Sequence, residues 1–117
     1  MKEAGQFRVV FVTAPNLKVA RQLAQRALTR RLAACASLIP RIESHYWWKG
    51  KLEKSAEVLI VFKTRARQLE KLEKLMLELH PYDTPEFVAL KLSGGNGRYL
   101  DWLARETENA PQRVSGD

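Results

Sequence analysis

Between His80 and Glu86 the chain gathers an imidazole, a phenol and two carboxylates: His80, Tyr82, Asp83 and Glu86. A histidine beside carboxylates can move protons as a general acid–base group or hold a metal ion. The same residues have a plainer account. Asp83-Thr84-Pro85 is turn chemistry leading into a strand, and that account carries more weight for an enzyme reading. His80 falls at a helix C-terminus before Pro81, where an imidazole can cap free carbonyls and complement the helix dipole. A ligand role for it stands equally open. The other candidate donors are His45 and the single thiol, Cys35. Cys35 sits in Ala33-Ala34-Cys35-Ala36, so a small buried apolar residue is its better reading. Tight transition-metal sites need three or four N, S or O ligands, and no CxxC, HxH or HExxH spacing occurs. Nor does a Ser-His-Asp arrangement or a nucleophile elbow. Ser93-Gly94-Gly95-Asn96-Gly97-Arg98 precedes a helix and could cradle an anion. It lacks the GxxxxGK[ST] form, and its glycines and Asn96 explain themselves as turn and cap. No residue is assigned a catalytic role.

The elements that position these groups follow from periodicity. Arg8–Thr13 is β-branched and apolar on both faces, the pattern of a central strand. Asn16 is a helix N-cap, and a helix runs to about Arg31 with Leu17, Ala20, Leu23/Ala24 and Ala27/Leu28 on its buried stripe. A second strand spans about Ala34 to Trp48, bent near Pro40, which cannot donate to a ladder. Lys49-Gly50 makes the turn. The return strand, Leu52 to about Lys63, is apolar on both faces at Val58–Phe62 and so is central. A helix over about Arg65–Leu79 carries Leu69, Leu72, Leu75/Met76 and Leu79 on one stripe and stops at Pro81. Pro85–Leu92 is a fourth strand. A last helix, about Arg98–Thr107, turns Tyr99, Leu100, Trp102 and Leu103 toward the body. The order β-α-β-β-α-β plus a closing helix predicts an α+β, ferredoxin-like sandwich. The right-handed crossover rule is expected to set strands one and three side by side and parallel, with strands two and four as edges.

The 117 residues make one domain, 1–117. Residues 7–107 are expected to be ordered and 108–117 to form a mobile tail. No apolar run approaches the roughly 20 residues of a membrane span. No signal-peptide pattern follows Met1, and a lone cysteine forms no internal disulfide, so a cytoplasmic protein is expected. The net charge of +7 invites a nucleic-acid reading. Much of it lies in Lys2, Arg8, Lys18, Arg21, Arg26, Arg30 and Arg31, and a solvated basic helix face is the better account.

The stretch Tyr46-Trp47-Trp48-Lys49-Gly50-Lys51 points beyond a single subunit. It closes a long edge strand, and such an edge invites pairing unless something covers it. Trp47 and Trp48 point to opposite faces, so one helix layer cannot bury both. Self-association through this hairpin, with closed symmetry, is the economical solution. Tyr46, Trp47 and Trp48 are the expected contacts.

Leu32–Pro40, Tyr46–Glu53, Glu57-Val58-Leu59, Phe62-Lys63-Thr64, His80–Glu86, Gly95-Asn96 and Tyr99–Leu103 together resemble the CutA divalent-cation tolerance proteins over about Val9 to Thr107. The resemblance implies a cytoplasmic homotrimer of ferredoxin-like subunits, shaped like the PII signalling proteins and associated with copper and other divalent metals. With no catalytic pattern among the residues, a non-enzymatic protein is expected. Proposed copper ligands in some members are a cysteine just before Thr-Ala-Pro and a histidine pair before Pro-Tyr. Val12 and Leu79 stand at two of those places here, and only His80 carries over. Weak divalent-cation binding at His80, with Cys35 behind it and Tyr82 and Glu86 in the pocket, is the expectation. Folding requires no cofactor. Two rivals follow it. One is a PII-like module that binds a small anionic effector between subunits. The other is a basic RNA-binding domain, disfavoured because the basic-Gly-aromatic run of an RRM is missing from strand three.

Overall fold

The computed structural model describes residues 1–108. A four-stranded antiparallel sheet has the order β3-β4-β2-β5, formed by β3 (Cys35–Trp48), β4 (Lys51–Arg65), β2 (Phe7–Ala14) and β5 (Val88–Lys91). α1 (Leu17–Thr29) and α2 (Leu69–Leu79) cover one face. α3 (Gly97–Glu106) follows the last strand. This is the ferredoxin-like sandwich with an added helix.

β2 and β4 are the central pair, but they run antiparallel, from Phe7 opposite Arg65 to Ala14 opposite Val58. This corrects the expected parallel pairing. The crossover through α1 aligns β3 with β2, and the tight turn then sends β4 back against both. Lys49 and Gly50 both take positive φ, 50° and 77°, the turn geometry that suits a twisted hairpin.

Val10, Val12, Ala14, Val58, Ile60 and Phe62 point into the core against Ala20, Leu23 and Ala27 of α1 and Leu72, Leu75 and Met76 of α2. Asn16 Oδ1 accepts the Val19 N–H at 2.9 Å and starts α1. α1 ends at Thr29 rather than Arg31. Arg31 turns left-handed at φ 59°, and the Leu32 N–H returns to the Ala27 carbonyl at 3.0 Å. Arg65 ends β4 instead of opening a helix, and its Nε donates to Thr107 Oγ1 at 2.9 Å. A 3₁₀ turn, Ala66–Gln68, leads into α2. Leu28 and Leu79 are exposed at the helix ends, off the buried stripes. β5 is shorter than the predicted Pro85–Leu92 because Pro85 has no N–H for a ladder.

The N-terminus belongs to the fold, contrary to an ordered region beginning at residue 7. β1 (Lys2–Glu3) pairs with β6 (Gly94–Gly95). Ala4 and Phe7 are buried with Leu100 and Leu103 of α3 in a second small core. The predicted anion-cradling loop is therefore partly strand. A Cβ on Gly94 would stand 3.1 Å from the Lys2 carbonyl oxygen and 2.9 Å from Met1 Cε, so glycine permits the close approach. Most of the predicted mobile tail, 109–117, lies outside the described residues.

Two features bear on function. Val9, Phe11, Leu59 and Val61 lie on the sheet face away from α1 and α2, and α3 covers only one end of it, where Lys63 Nζ lies 5.6 Å from the Tyr99 ring centroid. Ile39, Val88 and Leu90 extend the uncovered apolar surface and are exposed. The β3–β4 hairpin also runs well past the helices. It makes the radius of gyration 15.6 Å, against about 13 Å for a compact domain of this length.

Candidate functional site

The ladder of β3 and β4 shifts register between Ile39 and Ile42, at the bend predicted at Pro40. Beyond the shift, Ser44 lies opposite Ser55, Tyr46 opposite Glu53 and Trp48 opposite Lys51. Alternation then places Ser44, Tyr46, Trp48 and Glu57 on one face of the projecting hairpin. The chain leaving α2 folds alongside, and Pro81, Tyr82, Asp83, Thr84 and Glu86 close the other wall of a cleft of about 670 Å³.

Glu57 forms the floor. It is only 9% exposed, and its Oε2 accepts the Tyr82 O–H at 2.7 Å. Burial, and next the hydrogen bond that needs the phenol's proton, push the Tyr82 pKa well above its ordinary value. Burial also raises the Glu86 carboxyl, and the negative charge of Glu57 adds to it. No lysine or arginine lines the cleft, although the chain has 20 of them.

His80 stands behind Tyr82, 8% exposed, with ring centroids 4.7 Å apart. Its Nδ1 accepts the Tyr82 backbone N–H at 3.1 Å, so Nε2 carries the hydrogen and donates to the Thr13 carbonyl at 2.7 Å. Both ring nitrogens are thus engaged. The imidazole ties the 80–82 turn to the end of β2. The sequence left a helix cap and a ligand role equally open. The backbone N–H bonds the Met76 carbonyl at 2.8 Å, while the imidazole reaches Thr13 of β2 rather than a free helix carbonyl.

Tyr46, Trp48, Tyr82 and Glu86 are brought together as one cleft. Cys35 is not behind them. It pairs with Lys63, four ladder steps from the Leu59–Ile39 pair beside Thr13, which is about 13 Å along a strand. Its Sγ lies 3.8 Å from Ser37 Oγ, and it is partly exposed rather than a buried core residue. Trp47 points to the other hairpin face, 73% exposed and opposite the exposed Leu52. Neither tryptophan of the hairpin is buried, since Trp48 is 42% exposed. His45 bonds Glu43 at 2.7 Å on an exposed strand. Among the described residues no group of three or more His, Cys, Asp and Glu side chains is disposed to hold a metal ion. The donors of one chain therefore do not fit a tight copper site.

Glu57 is the residue that sequence reasoning missed as a site. Its signal was a single carboxylate at the edge of the apolar Val58–Phe62 run, on a strand read as central.

Residues 8–106 match the sequence model of the family described as CutA1 divalent ion tolerance protein. The rice chloroplastic protein CutA 1 (Oryza sativa subsp. japonica) is 43% identical over 102 residues, covering 87% of this chain and 58% of its own length. The human protein CutA is 40% identical over 111 residues, with coverages of 95% and 62%. The divalent-cation tolerance protein CutA of Thermus thermophilus is 41% identical over 99 residues, covering 85% of this chain and 96% of its own. The crystal structure of CutA1 from Oryza sativa superposes with a TM-score of 0.87 at 41% identity, over 92% of this chain and 98% of that one. The chain spans about six-tenths of the length of the rice and human relatives and nearly all of the bacterial one.

Proposed function

From its membership of the CutA1 divalent ion tolerance family, we propose that this chain acts in the cell as a cytoplasmic homotrimer in the response to divalent metals, copper among them. It binds the ions weakly and catalyses no reaction. The observation that carries the assembly is the uncovered sheet face. Val9, Phe11, Leu59 and Val61 are left incompletely buried, and Ile39, Val88 and Leu90 exposed, by a fold that has no further layer among the described residues to cover them. Apolar surface of this extent favours association with further copies. Tyr46, Trp47 and Trp48 on the projecting hairpin are the proposed clasps, with Leu52 beside Trp47.

Weak metal binding accords with the donors present. His80 would have to give up a hydrogen bond to ligate, and Glu57, Asp83 and Glu86 offer oxygen donors in a cleft whose one imidazole, His45, is engaged with Glu43. Light scattering should give a mass near three times 13.4 kDa. A monomer would sink the assembly. Calorimetric titration of Cu(II) should show weak binding, equal in wild type and His80→Ala, and a tight stoichiometric site would sink the metal reading.

A PII-like module with a ligand between subunits remains compatible with the cleft. The cleft's three carboxylates, without a lysine or arginine, disfavour an anionic effector. An RRM-like role is disfavoured by the mainly aliphatic open sheet face, where Phe11 is the one aromatic among Val9, Leu59, Val61, Ile39, Val88 and Leu90. Single-stranded RNA should give no gel shift at moderate salt.

A further inference from the structure

We propose that the cleft between the β3–β4 hairpin and the Pro81–Glu86 segment binds a small organic cation, a primary ammonium or guanidinium on a short apolar stem. Glu57 and Glu86 are its counter-charges, and Tyr46 and Trp48, the rings proposed above as assembly contacts, form its aromatic wall, so the site lies where one subunit's hairpin meets its neighbour. This site does not depend on the metal reading above.

Glu57 carries the assignment. It is nine-tenths buried, and among the described residues its one donor is the Tyr82 hydroxyl, on Oε2. Oε1 has no donor from the described residues, and the residue lines the cleft. A buried carboxylate without a cation is costly, and the usual remedy is an ion pair. Glu86 adds a second carboxyl to the same wall and Asp83 a third. In a chain of net charge +7, a cleft with three carboxylates and no lysine or arginine, whose one imidazole, His45, is already bonded to Glu43, is the place where a positive charge is missing.

Size and lining decide which cation. About 670 Å³ is within the range of small-molecule sites, whereas one water occupies about 30 Å³. A bare metal ion would leave most of that space unused and would meet no group of three ligands among the described residues. Aromatic faces do little for a hydrated metal ion but attract ammonium and guanidinium groups. The Trp48 ring already attracts one: Lys49 Nζ lies 5.7 Å from its centroid, on a residue that does not line the cleft. Tyr46 stands two residues from Trp48 on the same strand face, so the two rings can flank an alkyl stem.

The test is calorimetry and NMR titration of the full chain with n-butylammonium, guanidinium, Mg²⁺ and inorganic phosphate. The organic cations should bind saturably and shift the resonances of Trp48 and Tyr82, while phosphate should not bind. Glu57→Gln keeps an oxygen for the Tyr82 hydroxyl and should raise Kd about tenfold, the scale of one charge-assisted hydrogen bond. Trp48→Ala should raise it about threefold. Glu86→Gln supplies a second carboxyl variant if Glu57→Gln melts early. Absence of saturable binding by either organic cation would overturn the proposal, as would affinity unchanged in both carboxyl variants or displacement by equimolar Mg²⁺. A fall in oligomer mass confined to Glu57→Gln would also overturn it, because the carboxylate would then answer a basic side chain of a second copy. Copper affinity is a separate measurement, so this site and the metal reading fail independently.

Discussion

Replacing His80 with alanine removes two hydrogen bonds at once. The Thr13 carbonyl loses the Nε2–H donor at 2.7 Å, and the Tyr82 N–H loses the Nδ1 acceptor at 3.1 Å. Leaving a buried polar group without its partner costs about 1–3 kcal/mol. Thr13 is 8% exposed, so its carbonyl should suffer the larger loss, whereas Tyr82 is partly exposed at the cleft and water can reach its N–H. Together with the lost ring contact to Tyr82, the expected destabilisation is about 3 kcal/mol. Urea unfolding measures it, run at two protein concentrations because assembly contributes to apparent stability. His80→Gln can still donate toward Thr13 and should recover about 1 kcal/mol. Cu(II) affinity should be the same in all three proteins. If His80→Ala lost copper affinity tenfold while unfolding like the wild type, the imidazole would be a ligand and the tether would be wrong.

Spectrophotometric titration should show one of the three tyrosines holding its proton well above the usual range, and Glu57→Gln should bring it back down. Since the Tyr82 pKa is raised in the folded chain, the unfolded chain loses that proton first. Stability should fall as pH rises beyond about 10, and Tyr82→Phe should reduce that alkaline loss. Glu86 is also raised on folding, so the folded form holds its proton more firmly. Its contribution should favour the native state as pH falls toward about 4.5 and disappear in Glu86→Gln, read from urea midpoints across the acid range. The double variant Trp47→Ser/Leu52→Ser should leave far-ultraviolet circular dichroism intact while lowering the mass seen by light scattering. An unchanged mass at micromolar concentration would exclude this face from the assembly.

Strand and helix identity was legible because Arg8–Thr13 and Val58–Phe62 admit no amphipathic alternative and because Asn16 and Asn96 announce their helices. Both asparagines cap as predicted, on Val19 and Tyr99. The pairing of Lys2–Glu3 with Gly94–Gly95 was not legible, since two-residue strands carry no periodicity and the contact spans almost the whole chain. The cleft was half legible. His80, Tyr82 and Glu86 are neighbours in sequence, and Tyr46 and Trp48 stood out by type. Glu57 and Thr13 come from central strands, where only the ladder register reveals which side each one faces. Cys35 was misplaced because its small neighbours suggest a core, whereas strand alternation puts it on the opposite face from Ala36, the residue that packs against the core.

The irregularity at Pro40 sets the phase of everything after it. Ile39 pairs with Leu59 but Ile42 pairs with Glu57, so β3 holds one residue more than its partner between those two pairs. Odd-numbered side chains share the open sheet face before that point, and even-numbered ones do so after it. Tyr46 and Trp48 reach the cleft because the ladder resumes with Ile42 opposite Glu57. Deleting Arg41 would remove the surplus residue and still leave Ile42 opposite Glu57, so Tyr46 and Trp48 should keep their face, whereas inserting one further residue there would exchange the hairpin's faces and turn the cleft's aromatic wall away. The register taken up there, directly across the ladder from Glu57, thus determines which aromatic residues the acidic floor can meet.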